Sequence, residues 1–412
     1  MQALVYFSLA VYFGFYVFEG PVRYILNMFG ADSLIFIRDI ILATPLLLII
    51  FIRQFISKNL HPAFIVFAVI ISIHGLISYI NIGNPFVIGY CVKLLITMLA
   101  GAVLAPYLMQ PSPRVVWVVF ALWAITFIGV FLDKYFVEYP WTGLSTTIGD
   151  IQVEISRDWD IEGANKRAGG LMRSSINAAI ISPLLALVII FNSKKIWQKS
   201  LVMLGTIALL YWTTQKASIL AFAMVCGVLI AAYNRPIPML KIAITIAIIL
   251  MISLPIITPQ FEMPQGEGGV FSLGSFYLRV EDMWPRAWEW IDKNEIFPFG
   301  VGLGGIGGAM RFYAQDSVNY ADNLFILLYA YFGMFAVAYL AWLWWACMRV
   351  KNSSSDAMAQ ALSIILFLIF YGCALSIIED QMGSLFLGAA ASWLASEYRR
   401  DREKNRIENA RK

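Results

Sequence analysis

Residues 87–109 read VIGYCVKLLITMLAGAVLAPYLM, an apolar stretch broken by one charge, Lys93. At about 1.5 Å per helical residue, such a run covers the roughly 30 Å of bilayer hydrocarbon, and it predicts a membrane-spanning helix. Working outward, apolar runs punctuated by charge, Pro and Gly predict twelve such helices. In chain order they are Ala3–Phe18, Leu34–Ile52, Pro62–Ile80, Val87–Met109, Val115–Phe131, Ser174–Asn192, Leu201–Thr214, Ala217–Tyr233, Ile242–Ile257, Asn323–Cys347, Ala357–Ile377 and Met382–Glu397. Composition agrees. Of 412 residues 60% are hydrophobic and 14% charged, against roughly 25% charged in a soluble domain, and mean hydropathy is +0.73. The expected fold class is an all-α polytopic membrane protein, one integral membrane domain over residues 1–412. Met1-Gln2 supplies no basic region, and no small-residue cleavage site follows Leu4–Phe18. The first apolar stretch therefore reads as a membrane helix and not as a cleavable signal.

Lys and Arg set the expected orientation. One set of connections carries Arg53 and Lys58, Arg114, Lys194, Lys195 and Lys199, Arg235 and Lys241, and Arg349 and Lys351. Residues 398–412 add a basic tail. If twelve helices alternate, all of these lie on one face, which the positive-inside rule makes cytoplasmic, with both termini. The tail suits an anchor beside anionic lipid, and no nucleic-acid partner is expected. The opposite face carries two large loops, 133–173 and 258–322, that mix acids, Arg and aromatics. Phe276–Ile291 in the second suits short amphipathic helices. No internal repeat relates the two halves, which argues against a repeat-built transporter. Cys91, Cys226, Cys347 and Cys373 fall in or beside apolar spans, at spacings that match neither a disulfide framework nor a zinc site. His61 and His74, the only histidines, lie at the cytoplasmic edge and mid-membrane. The outer loops thus offer no His as base or ligand; no metal site and no cofactor are expected.

Three outer-face segments could carry chemistry. Arg167-Ala-Gly-Gly-Leu-Met-Arg173-Ser-Ser-Ile-Asn177 runs directly into the sixth helix. Its guanidinium forks beside a helix N-terminus suit either an anion site or an interfacial anchor on lipid phosphates. Thr213-Thr214-Gln215-Lys216 separates two apolar runs; Lys216 either snorkels or faces a polar cavity. The second loop holds Arg279-x-Glu281-Asp282, Arg286 and Glu289, then Pro298-Phe-Gly-Val-Gly-Leu-Gly-Gly-Ile-Gly-Gly308. That glycine run follows no strand, so it is a poor dinucleotide fingerprint, yet glycines such as Gly302 would let backbone approach a bulky ligand. Asp322-Asn323 opens the tenth helix, with Asp322 either its cap or a carboxylate in an outward-facing cavity. Arg38-Asp39 and Lys93 lie inside spans, where charges suggest function, although Arg38 and Asp39 could neutralise one another.

These motifs resemble the O-antigen ligase and polymerase superfamily, which includes Wzy-type polysaccharide polymerases and protein O-oligosaccharyltransferases. The likeness spans roughly Arg167 to Gly333. The family's R-x-x-G followed by Asn at a helix start resembles Arg167, Gly170 and Asn177. Its S-R pair is similar to Gln215-Lys216, where Lys replaces Arg. Its R…W…P-x-G-x-G-x-G…H-N…G block looks like Arg279, Trp284, Pro298, Gly300, Gly302, Gly304, Asp322-Asn323 and Gly333. Where ligases carry His this chain carries Asp322, a departure that favours a polymerase.

The resemblance implies a GT-C-like fold and an inverting, metal-independent glycosyl transfer at the periplasmic face of the bacterial inner membrane. The donor would be a glycan on undecaprenyl diphosphate and the acceptor a lipid-linked repeat unit of O-antigen, exopolysaccharide or capsule. Asp322, or less readily Glu281, would accept the proton, with Arg279 in the catalytic set. Arg167, Arg173, Lys216 and Arg286, with Asn323 and Gly302, would hold the diphosphate and substrate. Partners would be the lipid-linked oligosaccharide and membrane lipid, with a chain-length regulator and a flippase as further candidates. The alternatives are a ligase or protein O-oligosaccharyltransferase of the same superfamily, and a polysaccharide or lipid flippase or exporter. A non-enzymatic assembly scaffold is a further rival.

Overall fold

The computed structural model describes residues 2–56, 62–148, 151–156, 166–258, 273–352 and 355–411. Lys58, His61 and the parts of the two expected outer loops at 149–150, 157–165 and 259–272 lie outside the described residues, as do the side chains of the basic tail. The described chain is helical almost throughout. In order the helices are α1 Gln2–Val17, α2 Glu19–Met28, α3 Ile37–Phe51, α4 Pro62–Ile82, α5 Pro85–Met109 and α6 Pro113–Tyr135. Then come α7 Ser175–Asn192, α8 Ile196–Thr213, α9 Lys216–Ala231, α10 Pro236–Ile257, α11 Gly274–Leu278 and α12 Trp284–Asn294. The last four are α13 Leu324–Phe332, α14 Phe335–Met348, α15 Asp356–Tyr371 and α16 Gln381–Arg411. Pro62, Pro85, Pro113 and Pro236 each open a helix, where a missing N–H leaves no bond unmade.

Six of these are long and apolar enough to cross a membrane: Asp32–Phe51 (a 3-10 turn running into α3), α4, α5, α6, α7 and α10. The pair α1 and α2 makes a seventh if counted together, bent by 77° at its break. The shorter α9, α14 and α15 are also apolar. The protein is a multi-pass membrane protein. Surface chemistry gives the same answer. On α4, Ile65, Val69, Ile73, Leu76 and Ile80 recur at helical spacing and are exposed, as are Ile242, Ile246, Ile249 and Ile256 on α10. Such stripes are stable against lipid and costly against water. By contrast α15 is buried all round.

One expected helix is corrected. The single helix expected over Asn323–Cys347 is two, α13 and α14, broken at Gly333, which has φ +57. The glycine-rich segment docks there: Val301 and Gly302 N–H both donate to Ala330 O, and Met334 N–H donates to Pro298 O. A side chain at Gly333 would collide with the Pro298 carbonyl. The fold is all-α as expected, with one short hairpin in a loop. Ser145–Ile148 (β1) and Ile151–Glu154 (β2) pair antiparallel, with Ser145 opposite Glu154 and Ile148 opposite Ile151. The β-branched run Thr146, Thr147, Ile148, Ile151 and Val153 carries this propensity, which length and hydropathy do not register.

The described residues divide into two compact units. The first draws on Met1–Ile52 and Gln110–Cys226, the second on Arg53–Met109, Gly227–Glu267 and Leu273–Lys412. In the first, α6, α7 and α8 pack together and α1 lies against α3 and α6. Trp123 Nε1 on α6 donates to Thr206 Oγ1 on α8 at 2.9 Å. In the second, α15 lies against α10 and α16, and α5 crosses α16 at Gly101 and Gly388, where backbone meets backbone. Small residues let membrane helices approach this closely.

Candidate functional site

In the first unit, Asp133 near the end of α6 organises the motif that begins at Arg167. Its Oδ2 accepts from Gly169 and Gly170 N–H, both at 2.8 Å, and its Oδ1 pairs with Lys166 Nζ at 2.9 Å. This clamp turns the chain into α7. Ser174 caps that helix by accepting from Asn177 N–H, and Asn177 Nδ2 donates to Tyr16 Oη at 2.7 Å. Arg167 and Lys216 are half-buried and close enough to repel one another electrostatically. Gln215 Nε2 donates to Ser175 Oγ at 3.3 Å, which ties the start of α9 to the first turn of α7. Two cations beside a helix N-terminus make a positive surface.

Arg173 belongs to a different neighbourhood. Its Nε donates to Glu154 O at 3.3 Å, and its charge reaches the buried carboxylate of Glu19. Glu19 also pairs with Arg23 at 2.7 Å and Arg38 at 3.1 Å. The intramembrane Arg38 thus has Glu19 as its nearer partner, with Asp39 at 3.4 Å. Sequence reasoning did not single out Glu19, whose position at the α1–α2 bend shows only as the end of an apolar run.

In the second unit, Arg279 Nη2 and Asp322 Oδ2 form an ion pair at 2.8 Å across 43 positions of chain. Both side chains are about four-fifths buried, at 18% and 24% exposure. Arg279 opens a π-helical turn, Arg279–Met283, that joins α11 to α12. Its Nη1 donates to Ser275 O at 2.9 Å, while its buried Nε has no hydrogen-bond partner among the described residues. Ala321 and Asp322 both have left-handed backbones, φ +58 and +46, a conformation that costs side-chain-bearing residues of order 1–3 kcal/mol each. The bonds around them hold it. Ala321 N–H donates to Asn319 Oδ1, Asn319 Nδ2 to Met283 O, and Ser376 Oγ to Tyr320 O.

The cap of α13 is Asn323, whose Oδ1 accepts from Phe325 and Ile326 N–H; this releases Asp322 from the capping role. Asn323 Nδ2 donates to Met251 O and Cys373 O, and the residue is fully buried, so its side chain is engaged in structure and none of it is left for a substrate. Gly302 is likewise buried. At φ +100, its missing Cβ would stand 2.7 Å from the Ser78 backbone, so what the glycine admits here is the protein's own α4 and not a ligand. Arg286 pairs with Asp282 one helical turn away and is exposed, as is Glu281.

Elsewhere in this unit, Trp288, Glu289, Ile291 and Asp292 of α12, Glu295 just after it and Tyr329 of α13 line an open cavity of about 380 Å³. Trp288 Nε1 donates to Pro255 O at 3.1 Å, which fixes the ring. Tyr371 at the end of α15 was also hidden from sequence reasoning, in an unbroken apolar run. Its hydroxyl is within electrostatic reach of Arg279, Asp322 and Asp380. Among the described residues no cluster of three or more His, Cys, Asp or Glu could hold a metal ion.

Comparison with models of protein families, with curated proteins and with solved structures finds no match.

Proposed function

We propose that this protein polymerises a surface polysaccharide, transferring a growing glycan from undecaprenyl diphosphate to a lipid-linked repeat unit at the periplasmic face of the inner membrane. The chain then crosses the bilayer twelve times, with α13 and α14 together as the tenth crossing and both termini cytoplasmic. The observation that carries the reading is the Arg279–Asp322 ion pair, which joins a cation and a carboxylate from separate motifs in a mostly buried, strained setting. An inverting transfer needs both groups. The acceptor hydroxyl attacks the anomeric carbon while the bond from that carbon to the diphosphate oxygen breaks. The hydroxyl proton passes to Asp322, and the diphosphate leaves with the bonding electrons, its charge met by fixed guanidinium. An arriving diphosphate competes for Arg279 and so uncovers the Asp322 carboxylate. In the first unit, Arg167 and Lys216 are a separate pair of candidate cations for phosphate; in the second, the cavity lined by Trp288 and its neighbouring carboxylates suits sugar faces and hydroxyls.

The test is the surface glycan of a deletion strain complemented with wild type, Arg279→Ala, Asp322→Asn or Arg167→Ala. Loss of polymer with protein retained, and accumulation of lipid-linked single repeat units, is the expected result. Accumulated lipid-linked polymer would instead indicate a ligase. Unchanged polymer length and yield in both Arg279→Ala and Arg167→Ala would sink the proposal.

A further inference from the structure

The second unit contains one more group that the reaction above does not use. Tyr371 is 2% exposed, and its hydroxyl has no hydrogen-bond partner among the described residues. A buried phenol that forgoes every hydrogen bond is unusual in a folded protein and calls for an explanation. The neighbouring backbone places it. Leu324 N–H donates to Gly372 O at 2.8 Å, and Asn323 Nδ2 donates to Cys373 O at 3.2 Å. The two residues that follow Tyr371 are therefore bonded to the two that follow Asp322. The buried Nε of Arg279, the partner of Asp322, is the second donor in this neighbourhood with no acceptor.

Two unpaired donors beside one ion pair call for an acceptor that the protein does not supply. We propose that the Tyr371 hydroxyl and Arg279 Nε are paired donors of a subsite for an anionic phosphate oxygen, occupied when a lipid-linked diphosphate binds. This rests on the polymerase reading for the identity of the phosphate. Arg279 and Asp322 are each partly exposed, whereas Tyr371 is closed off from solvent. The hydroxyl is held unbonded in the free protein because its bond is made to the ligand.

This assignment separates stability from affinity, and Tyr371→Phe reads both. The substitution removes one oxygen and keeps the ring. A ligand-directed hydroxyl contributes nothing to the free fold, so the melting temperature of the purified full-length variant should equal or exceed that of wild type. Its affinity for undecaprenyl diphosphate in nanodiscs should fall about tenfold or more, the effect of losing one hydrogen bond to a charged group. Arg279→Lys, which keeps the charge and removes Nε, should weaken binding similarly. Unchanged affinity in Tyr371→Phe would overturn the subsite while leaving the polymerase reading intact. A lowered melting temperature with affinity retained would overturn it too, by showing that the hydroxyl serves the fold. Tyr371-dependent binding of phosphatidylglycerol with equal affinity would overturn the diphosphate assignment. If wild type binds neither undecaprenyl diphosphate nor inorganic pyrophosphate, the donor reading falls and the subsite falls with it.

Discussion

Asp322 and Asn323 are adjacent in sequence and opposite in use. Asn323 is consumed by structure: it caps α13 and bridges to α10 and to the chain after α15. Asp322 makes one ion pair and keeps a quarter of its side chain open. Asn323→Ala therefore removes a cap worth about 1 kcal/mol and strands two buried carbonyls as well, so the expected loss is about 2–4 kcal/mol. Its melting temperature should drop, with any loss of polymer following the loss of folded protein. Asp322→Asn should keep its melting temperature close to wild type and still abolish polymer. The comparison is made by thermal unfolding in detergent alongside glycan gels. Equal destabilisation by the two changes would remove the distinction. Sequence alone offers both residues of this dipeptide as candidates. It could not divide the roles, because either residue type caps a helix and only the observed φ values show where the helix begins.

Helices were legible in proportion to how fully lipid and length define them. The run at 87–109 became α5 with its end at Met109 as expected, because its apolar character continues past the lone charge Lys93 to that point. Asn323–Cys347 reads as equally continuous, yet it breaks at Gly333 because a loop some 30 residues upstream docks into it, a tertiary event that hydropathy does not register. The hairpin β1–β2 was missed for a similar reason, as alternation over a few residues is weak beside runs of twenty. The crossing of α5 and α16 tests how much element packing contributes. At Gly101 and Gly388 an added methyl would meet the carbonyls of Leu385 and Met98, whereas at Gly14 and Gly89 it meets nothing within 4 Å. Gly101→Ala and Gly388→Ala should each destabilise by about 1–3 kcal/mol or prevent assembly, seen as lower detergent-solubilised yield and melting temperature. Gly14→Ala and Gly89→Ala should leave both unchanged. A neutral Gly101→Ala would mean the helices do not cross as described.

For the protein as a whole, α13 and α14 are, with α9 and α15, among the helices shorter than a full crossing. Neither is long enough alone to cross, at 9 and 14 residues, but together they run antiparallel along α10: Asn323 Nδ2 donates to Met251 O near its end, and Lys241 Nζ near its start donates to Val350 O. If they form one interrupted crossing, Asp292 and Lys351 lie on opposite sides of the membrane; if they form a re-entrant pair, both lie on the same side. The flanking charge favours the first, because Arg349 and Lys351 follow α14 directly, as Lys194 and Lys195 follow α7. Single cysteines at Glu138, Lys195, Asp292 and Lys351, all exposed, separate the cases. The native cysteines are mostly buried and can be replaced first. With an impermeant maleimide, positions 138 and 292 should react in intact cells and positions 195 and 351 only after permeabilisation. Reaction of both 292 and 351 in intact cells would make α13–α14 a re-entrant pair. The α15 helix would then start from the outer face, Tyr371 would end it on the inner one, and the Arg279–Asp322 pair could not share an outer-face site with that tyrosine. The labelling pattern at 351 therefore tests the fold and the site together.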